Sequence, residues 1–162
     1  MTWHVDNLKV SHMEEQVVEE FLKWVQNKYE EPHIKKVKPS RGKKHDYLGM
    51  DIDYTEPGVF KVSMDKYIAG MIEKFPFKDE LENKKGQSPA ADHLFMINPK
   101  SKLLMQDKKE CFHTWVAKGL FLCKRARPDI QPAIPFLCSR VNNPDEDDWK
   151  KLLRVLAYLR DT

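Results

Sequence analysis

Hydrophobic and polar positions alternate in the first third of the chain and then follow a helical period. The opening residues "MTWHVDNLKV" predict two short strands joined by a tight turn at Asp6-Asn7. The stretch "HDYLGMDIDY" alternates as one strand, residues 56–58 predict a turn, and "VFKVSM" predicts the returning partner strand. Strands followed by helices predict the α+β fold class.

Helical spacing begins at residues 13–29, where acidic residues occupy the first turns and suit the positive end of the helix dipole. A second helix is predicted to start near Asp65. The apolar face of this helix consists of Tyr67, Ile68, Met71, Ile72 and Phe75. Residues 76–109 are polar and interrupted by prolines, which predicts a long loop or linker.

Three helical segments follow, at residues 112–126, 128–141 and 143–162. In the last, Asn143 is predicted to cap the helix and Pro144 to lie in its first turn. The buried stripe of this helix is predicted to be Trp149, Leu152, Leu153, Leu156 and Leu159. The acidic run at 145–148 is explained by the helix start, because it lacks the glycine and ligand spacing of a calcium loop.

Composition narrows the class of protein. The 162 residues are 41% hydrophobic and 33% charged, which is typical of a globular domain. The net charge of +3 permits nucleic-acid binding without requiring it. No apolar run is long enough for a membrane helix, and no secretory signal is present, so we expect no membrane contact. Three scattered cysteines predict reduced thiols and an intracellular location, cytoplasmic or nuclear.

Two groups of charged residues are candidates for ligand binding. The first is a basic run without acidic residues that could contact phosphates or simply be solvated. It consists of Lys35, Lys36, Lys38, Arg41, Lys43 and Lys44. The second is Asp51 and Asp53, which lie two apart on a predicted strand and therefore on one face. They could hold a cation or form the solvent face of a hairpin.

Four segments carry a family resemblance. They are "WHVDNL", "YLGMDI", "VFKVSMDKYIAGMIEKF" and "RARPDIQPAIPFLCSRVNNPDEDDWKKLLRVLAYLRDT". In this order they resemble the Y-V-D-D hairpin, the F-L-G-x-x-I strand, the K-Y-I-x-x-L-L-x-K-F segment and the final R-P-D-I block of copia-type retrotransposon reverse transcriptases. The resemblance covers nearly the whole chain and implies the C-terminal part of that enzyme.

The resemblance implies descent from an RNA-directed DNA polymerase that uses magnesium. It matches Asp6 to a metal-ligating catalytic aspartate and Asn7 to a second aspartate that is here replaced by an amide. Polymerases use two metal ions, and magnesium prefers carboxylate and phosphate oxygens. The family's third aspartate would lie upstream of Met1. We therefore predict a residual catalytic and metal-ligand position at Asp6, no productively bound magnesium, and no synthesis by this chain alone.

The resemblance also implies a division of the chain and its partners. Residues 1–63 would be a palm remnant, containing the degenerate hairpin and a hairpin like the primer grip, in which Tyr47 and Gly49 match nucleic-acid contacts. Residues 64–109 would be a thumb-like helix and loop, and residues 110–162 a connection towards RNase H. The implied ligand is an RNA–DNA or DNA duplex. The parent polyprotein's fingers, most of its palm and its RNase H would be missing.

Departures from the family pattern support two other interpretations, a non-enzymatic nucleic-acid-binding module and an inert transposon remnant. Pro132 and Pro135 fall within a family helix, and we expect Pro135 to kink or end it at a cost of about 3 kcal/mol. Gly119 replaces an apolar residue, which costs about 1 kcal/mol against alanine. Arg127 and Asp129 are predicted to form a structural ion pair.

Overall fold

A computed structural model describes residues 1–29 and 37–162, which form two compact units, Met1–Val62 and Ser63–Thr162. The first unit contains β1 (Thr2–His4), β2 (Asn7–Lys9), α1 (Glu15–Tyr29), β3 (Lys44–Tyr47), β4 (Met50–Asp53) and most of β5 (Lys61–Ser63). The second contains α2 (Asp65–Glu73), α3 (Lys78–Glu82), α4 (Gln106–Cys123), a 3₁₀ turn (Pro128–Ile130), α5 (Ala133–Arg140) and α6 (Glu146–Asp161). The α+β class is confirmed. None of the helices in the described ranges is long and apolar enough to cross a bilayer.

The first hairpin pairs β1 with β2 in antiparallel register, with Trp3 opposite Leu8 and His4 opposite Asn7. Its turn lies at Val5 and Asp6, so the predicted turn at Asp6-Asn7 is wrong by one residue. Asn7 belongs to β2 because it is the pairing partner of His4. Both strands are largely exposed, and a two-stranded hairpin of this length is marginal in water without further packing.

The stretch predicted as one strand from residue 45 to residue 54 folds back on itself. β3 and β4 pair antiparallel, with Tyr47 opposite Met50 and a two-residue turn at Leu48-Gly49. Both turn residues have positive φ, 56° and 75°, as a type I′ hairpin turn requires. The one-strand prediction is therefore wrong, and β5 adds a third strand next to β4.

The first unit buries little apolar surface. Helix α1 begins two residues later than predicted and ends at Tyr29 as predicted, but none of its residues is fully buried. Trp24 on this helix is 51% exposed. Within the described part of Met1–Val62, Tyr47 and Ile52 are the buried apolar residues. The described part of this unit therefore receives only a small hydrophobic contribution to its stability, at roughly 1.5–3 kcal/mol per fully buried large side chain.

The second unit has a large core centred on Phe75. Its ring lies 5.4 Å from that of Trp115 and 5.9 Å from that of Trp149, measured between centroids. Both indoles are satisfied, because Trp115 Nε1 donates to the Met71 carbonyl (3.2 Å) and Trp149 Nε1 to Glu80 Oε2 (2.8 Å). The predicted stripe of α6 is confirmed, since all five residues are at most 2% exposed. The ranges 64–109 and 110–162 therefore share one core.

The prediction of a loop or linker over residues 76–109 is correct only in part, because residues 83–105 are irregular apart from a bridge at Leu103 but the segment is not a linker. The segment contains α3 and the start of α4, and its later part pairs with the residues that precede α6. The Leu104 amide donates to the Pro144 carbonyl, and the Glu146 amide donates to the Lys102 carbonyl, both over 2.9 Å. A segment whose backbone is bonded in this way is part of the folded unit.

The start of α6 and the effect of Pro135 in α5 both differ from prediction. Asp145, not Asn143, is the N-cap of α6, and it forms a capping box with Asp148. Pro135 does not end α5, which continues to Arg140. Pro135 is the third residue of this helix, where a backbone N–H would have no intrahelical acceptor, so the proline removes no hydrogen bond.

Gly119 has a packing role that the sequence does not reveal. A Cβ atom on Gly119 would lie 2.5 Å from Cδ1 of Ile134 on α5. The glycine therefore permits the close approach of α4 and α5, and the small helix-propensity cost accompanies a tight interhelical contact. Gly119 therefore has a packing role in addition to the predicted helix-propensity cost.

Candidate nucleic-acid interface

Asp6 and Asn7 lie at the exposed end of the first hairpin. The Asn7 side-chain amide donates to Asp6 Oδ1 over 2.9 Å, so the two residues are bonded to each other. Such an Asp-Asn pair is an ordinary turn arrangement. The catalytic and metal-ligand roles of Asp6 stay predictions.

The donors on this hairpin do not fit a pair of magnesium ions. They comprise one carboxylate and one neutral amide, whereas the resemblance implies two carboxylates on the hairpin. In the ranges 1–29 and 37–162, no group of three or more His, Cys, Asp or Glu side chains is arranged to hold a metal. The hairpin therefore lacks the second carboxylate that a pair of magnesium ions would need.

The β3–β4 hairpin has one acidic face. Its register places Lys44 opposite Asp53 and Asp46 opposite Asp51, so one cation and three carboxylates share that face. Lys44 Nζ lies 3.3 Å from Asp53 Oδ2. Hydrogen bonds from Thr55, whose amide donates to Asp53 Oδ1 over 2.7 Å, and the nearby Lys44 lower the pKa of Asp53 to about 2. Carboxylates therefore outnumber cations among the strand residues of this face.

The basic run divides into three groups. Lys35 and Lys36 lie outside the described residues. Arg41 is engaged by α1, with an ion pair to Glu19 and a longer contact of 3.8 Å to Glu15. Lys44 is paired with Asp53. Lys38 and Lys43 are exposed, so they remain the described members of the run most available to a ligand.

The two predicted grip residues differ in exposure. Tyr47 is 9% exposed, its ring is in the interior, and no described residue bonds to its buried hydroxyl. Gly49 is exposed at the tip of the hairpin, where its positive φ of 75° favours glycine. Tyr47 therefore supports the hairpin from the interior, whereas Gly49 is accessible at its tip. Their roles as nucleic-acid contacts stay predictions.

The predicted ion pair between Arg127 and Asp129 is confirmed. Arg127 Nε donates to Asp129 Oδ1 over 3.1 Å, and Arg127 Nη2 donates to Oδ2 over 2.8 Å, which is a forked arrangement. Arg127 also bonds to Thr162 Oγ1 over 2.6 Å and so joins the 3₁₀ turn to the residue after α6. The hydrogen bond from Arg127 lowers the pKa of Asp129.

This lowered pKa leads to a pH-dependent prediction. A carboxyl whose pKa is lower when folded stabilises the fold above its unfolded pKa of about 3.9, and the contribution is lost as pH falls through the folded value. We expect Asp129→Asn to be less stable than the natural chain at neutral pH. The gap should close as pH falls below about 3.9. Urea unfolding of both chains over a pH series measures it, and a gap independent of pH would contradict the prediction.

Sequence reasoning missed a second basic cluster, on the Ser63–Thr162 unit. Lys84 and Lys85 line one cavity together with Lys150 and Arg154 of α6. The sequence contains both halves of this cluster. Lys84-Lys85 is a basic doublet, and Lys150 and Arg154 are four residues apart on a helix and therefore on one face. Only the fold brings the two pairs together.

Comparison with proteins of known sequence gives one informative match. Over 105 residues the chain is 27% identical to the "Retrovirus-related Pol polyprotein from transposon TNT 1-94" of Nicotiana tabacum. The chain is similar to a retrotransposon Pol region. The match covers 62% of this chain but only 8% of the length of that Pol polyprotein. No protein-family model matches the chain, and no solved structure matches it.

Proposed function

We propose that this chain is the C-terminal part of a retrotransposon reverse transcriptase, and that in isolation it holds a nucleic-acid duplex without extending it. The similarity to a Pol polyprotein supports the retrotransposon origin. The order of the four motifs supports the enzyme within that polyprotein. The proposed activity is binding and not synthesis, because Asn7 supplies an uncharged amide where the polymerase would need a carboxylate.

The observation that carries the proposal is the β3–β4 hairpin. The "YLGMDI" segment forms a tight turn with an exposed Gly49 at its tip, and Lys43 precedes the hairpin directly. A rigid hairpin with a glycine tip permits close approach of a nucleic-acid strand, since no side chain stands in the way. The acidic face of the hairpin would be turned away from the phosphates. Lys38 and Lys43 would therefore supply the attraction.

The apolar surface of the first unit supports a longer parent protein. Trp3 is 70% exposed, Trp24 is 51% exposed and Phe60 is 59% exposed, which is unusual for such large apolar side chains. We propose that further strands of a Pol polyprotein cover this surface. The matched polyprotein is long enough to supply them, since this chain spans 8% of it.

The proposal predicts a salt-dependent affinity for duplex that depends on two lysines. We expect Lys38→Glu with Lys43→Glu to weaken binding of a labelled RNA–DNA primer-template about tenfold or more at low salt. It should also reduce the slope of log affinity against log salt by about two, one unit for each lost phosphate contact. Fluorescence anisotropy across a salt series measures both quantities.

The matched control is Lys23→Glu with Lys28→Glu, which makes the same charge change on the exposed surface of α1. Equal losses in the two double variants would mean that binding follows net charge alone. No binding by the natural chain at low salt would leave an inert remnant as the better interpretation. Primer extension by the isolated chain, abolished in Asp6→Ala, would overturn the proposed lack of synthesis.

A further inference from the structure

The second unit contains a small cavity between α6 and the segment of residues 84–96. Lys84 and Lys85 line one side, and Asp147, Lys150, Lys151 and Arg154 of α6 line the other. The four α6 residues have spacings of three, four and seven, so they lie on one face of the helix. We call this the basic cavity. Its volume of ≈ 200 Å³ is below the roughly 300 Å³ at which small-molecule pockets begin, so it suits one chemical group.

The wall formed by residues 84–96 is fastened to α6 by hydrogen bonds. The Gly86 amide donates to Asp161 Oδ2 over 2.8 Å, and Arg160 Nη2 donates to the Lys84 carbonyl over 2.7 Å. Further along, Arg154 Nε donates to the Ser88 carbonyl over 3.2 Å. These bonds hold the backbone of residues 84–88 against α6, and the exposed side chains of Lys84, Lys85, Lys150 and Arg154 extend from these two walls.

Within the cavity the single carboxylate is already engaged. Asp147 Oδ2 lies 2.8 Å from Lys151 Nζ, and the same nitrogen donates to the Met96 carbonyl over 2.6 Å. Lys151 is only 6% exposed, so this buried cation is neutralised by its own partners. The charge of Asp147 is therefore balanced by Lys151.

Four cations remain around the basic cavity, namely Lys84, Lys85, Lys150 and Arg154. In the described part of the chain, no carboxylate lies within 4 Å of their charged nitrogens. Several cations close together raise the local electrostatic potential and attract a counter-ion. His93 also lines the cavity and adds a further ring nitrogen.

We propose that the basic cavity binds a phosphate group. Phosphate carries up to two negative charges and several strong acceptor oxygens, which match a cluster of lysine ammonium groups and one guanidinium. Nε of Arg154 is taken by Ser88, but the terminal nitrogens of the guanidinium remain as donors. A ligand with a single carboxylate would neutralise the charge of only one of the four cations. The phosphate is either free or part of a nucleic-acid strand, and the two sources have the same recognition chemistry.

The test uses the full chain labelled with ¹⁵N and titrated at constant ionic strength. One arm adds inorganic phosphate and the other adds a short oligothymidylate without terminal phosphates. We expect saturable shifts confined to the amides near the basic cavity. Lys84→Gln with Lys150→Gln should weaken this binding about tenfold or more, the size of at least one lost charge-assisted hydrogen bond. Lys74→Gln with Lys124→Gln makes the same charge change on exposed positions and should leave it unchanged.

The two arms identify the source of the phosphate. Saturation by inorganic phosphate supports a site for a free phosphate, and saturation by the oligonucleotide alone supports a site for a strand. Shifts that do not saturate, that spread over the surface, or that respond equally to both double variants would overturn the proposal. A second readout needs no variant, because bound phosphate should protect Lys84 and Lys150 from acetylation but leave Lys74 and Lys124 reactive. Equal acetylation of all four with phosphate present would also overturn it.

Discussion

Replacing Gly86 with alanine should destabilise the second unit by about 3 kcal/mol, the upper end for inserting a carbon into a packed site. A Cβ atom on Gly86 would overlap the backbone of Ala157 and Tyr158 in α6. Backbone atoms within a helix have no alternative rotamer, so the overlap is relieved only by moving the segment away from the helix. That movement would also strain the bond from the Gly86 amide to Asp161.

Urea unfolding followed by tryptophan fluorescence measures this effect, since Trp115 and Trp149 are both buried in this unit. Gly70→Ala is the matched control, because Gly70 lies within α2 and a Cβ atom there would meet no atom within 4 Å. That change should be neutral or stabilising by up to about 1 kcal/mol. Similar results for the two glycines would mean that residue 86 does not contact α6.

The second large effect is expected at Asp148, which is 2% exposed at the start of α6. Its Oδ2 accepts from the Asp145 amide over 3.2 Å and from Arg140 Nε over 3.0 Å. Asp148→Ala removes half of the capping box and leaves Arg140 with the longer contact of 3.4 Å to Asp145. We expect a loss of about 2 kcal/mol, from the cap and from the weakened charge pair together.

The control for this variant is Glu146→Ala, in the same first turn of α6 but on its exposed side. It removes one negative charge from the positive end of the helix and should cost no more than about 1 kcal/mol. The same urea unfolding experiment compares the two. If Asp148→Ala costs no more than Glu146→Ala, the buried contacts to Arg140 and the Asp145 amide contribute little.

The helices could be predicted from the sequence where a long apolar stripe was present. In α6 the stripe from Trp149 to Leu159 is repeated over several turns, so its buried face is determined by local spacing alone. The start of α6 is harder to predict from the sequence, because Asn143 and Asp145 are both good N-cap residues. The choice of N-cap depends on the pairing of Leu103 with Asp145, which is a contact between residues far apart in sequence.

The failures elsewhere have equally specific causes. Leu48-Gly49 was overlooked as a hairpin turn because leucine is a poor residue for positive φ, and the stretch alternates through it. The roles of Gly86 and Gly119 depend on which side chain or helix packs against each, and no local pattern encodes that. The basic cavity joins two clusters about 65 residues apart, so it required the fold.

The contacts of α6 with residues 80–86 have a consequence for the order of folding during synthesis. Trp149 bonds to Glu80, Arg160 to the carbonyls of Leu81 and Lys84, and Asp161 to the Gly86 amide. Every one of these bonds joins an early residue of the unit to one that the ribosome adds more than sixty positions later. Until α6 has been made, Phe75 has no tryptophan from that helix to stack on. The aromatic core of this unit is therefore completed only after α6 has been synthesised.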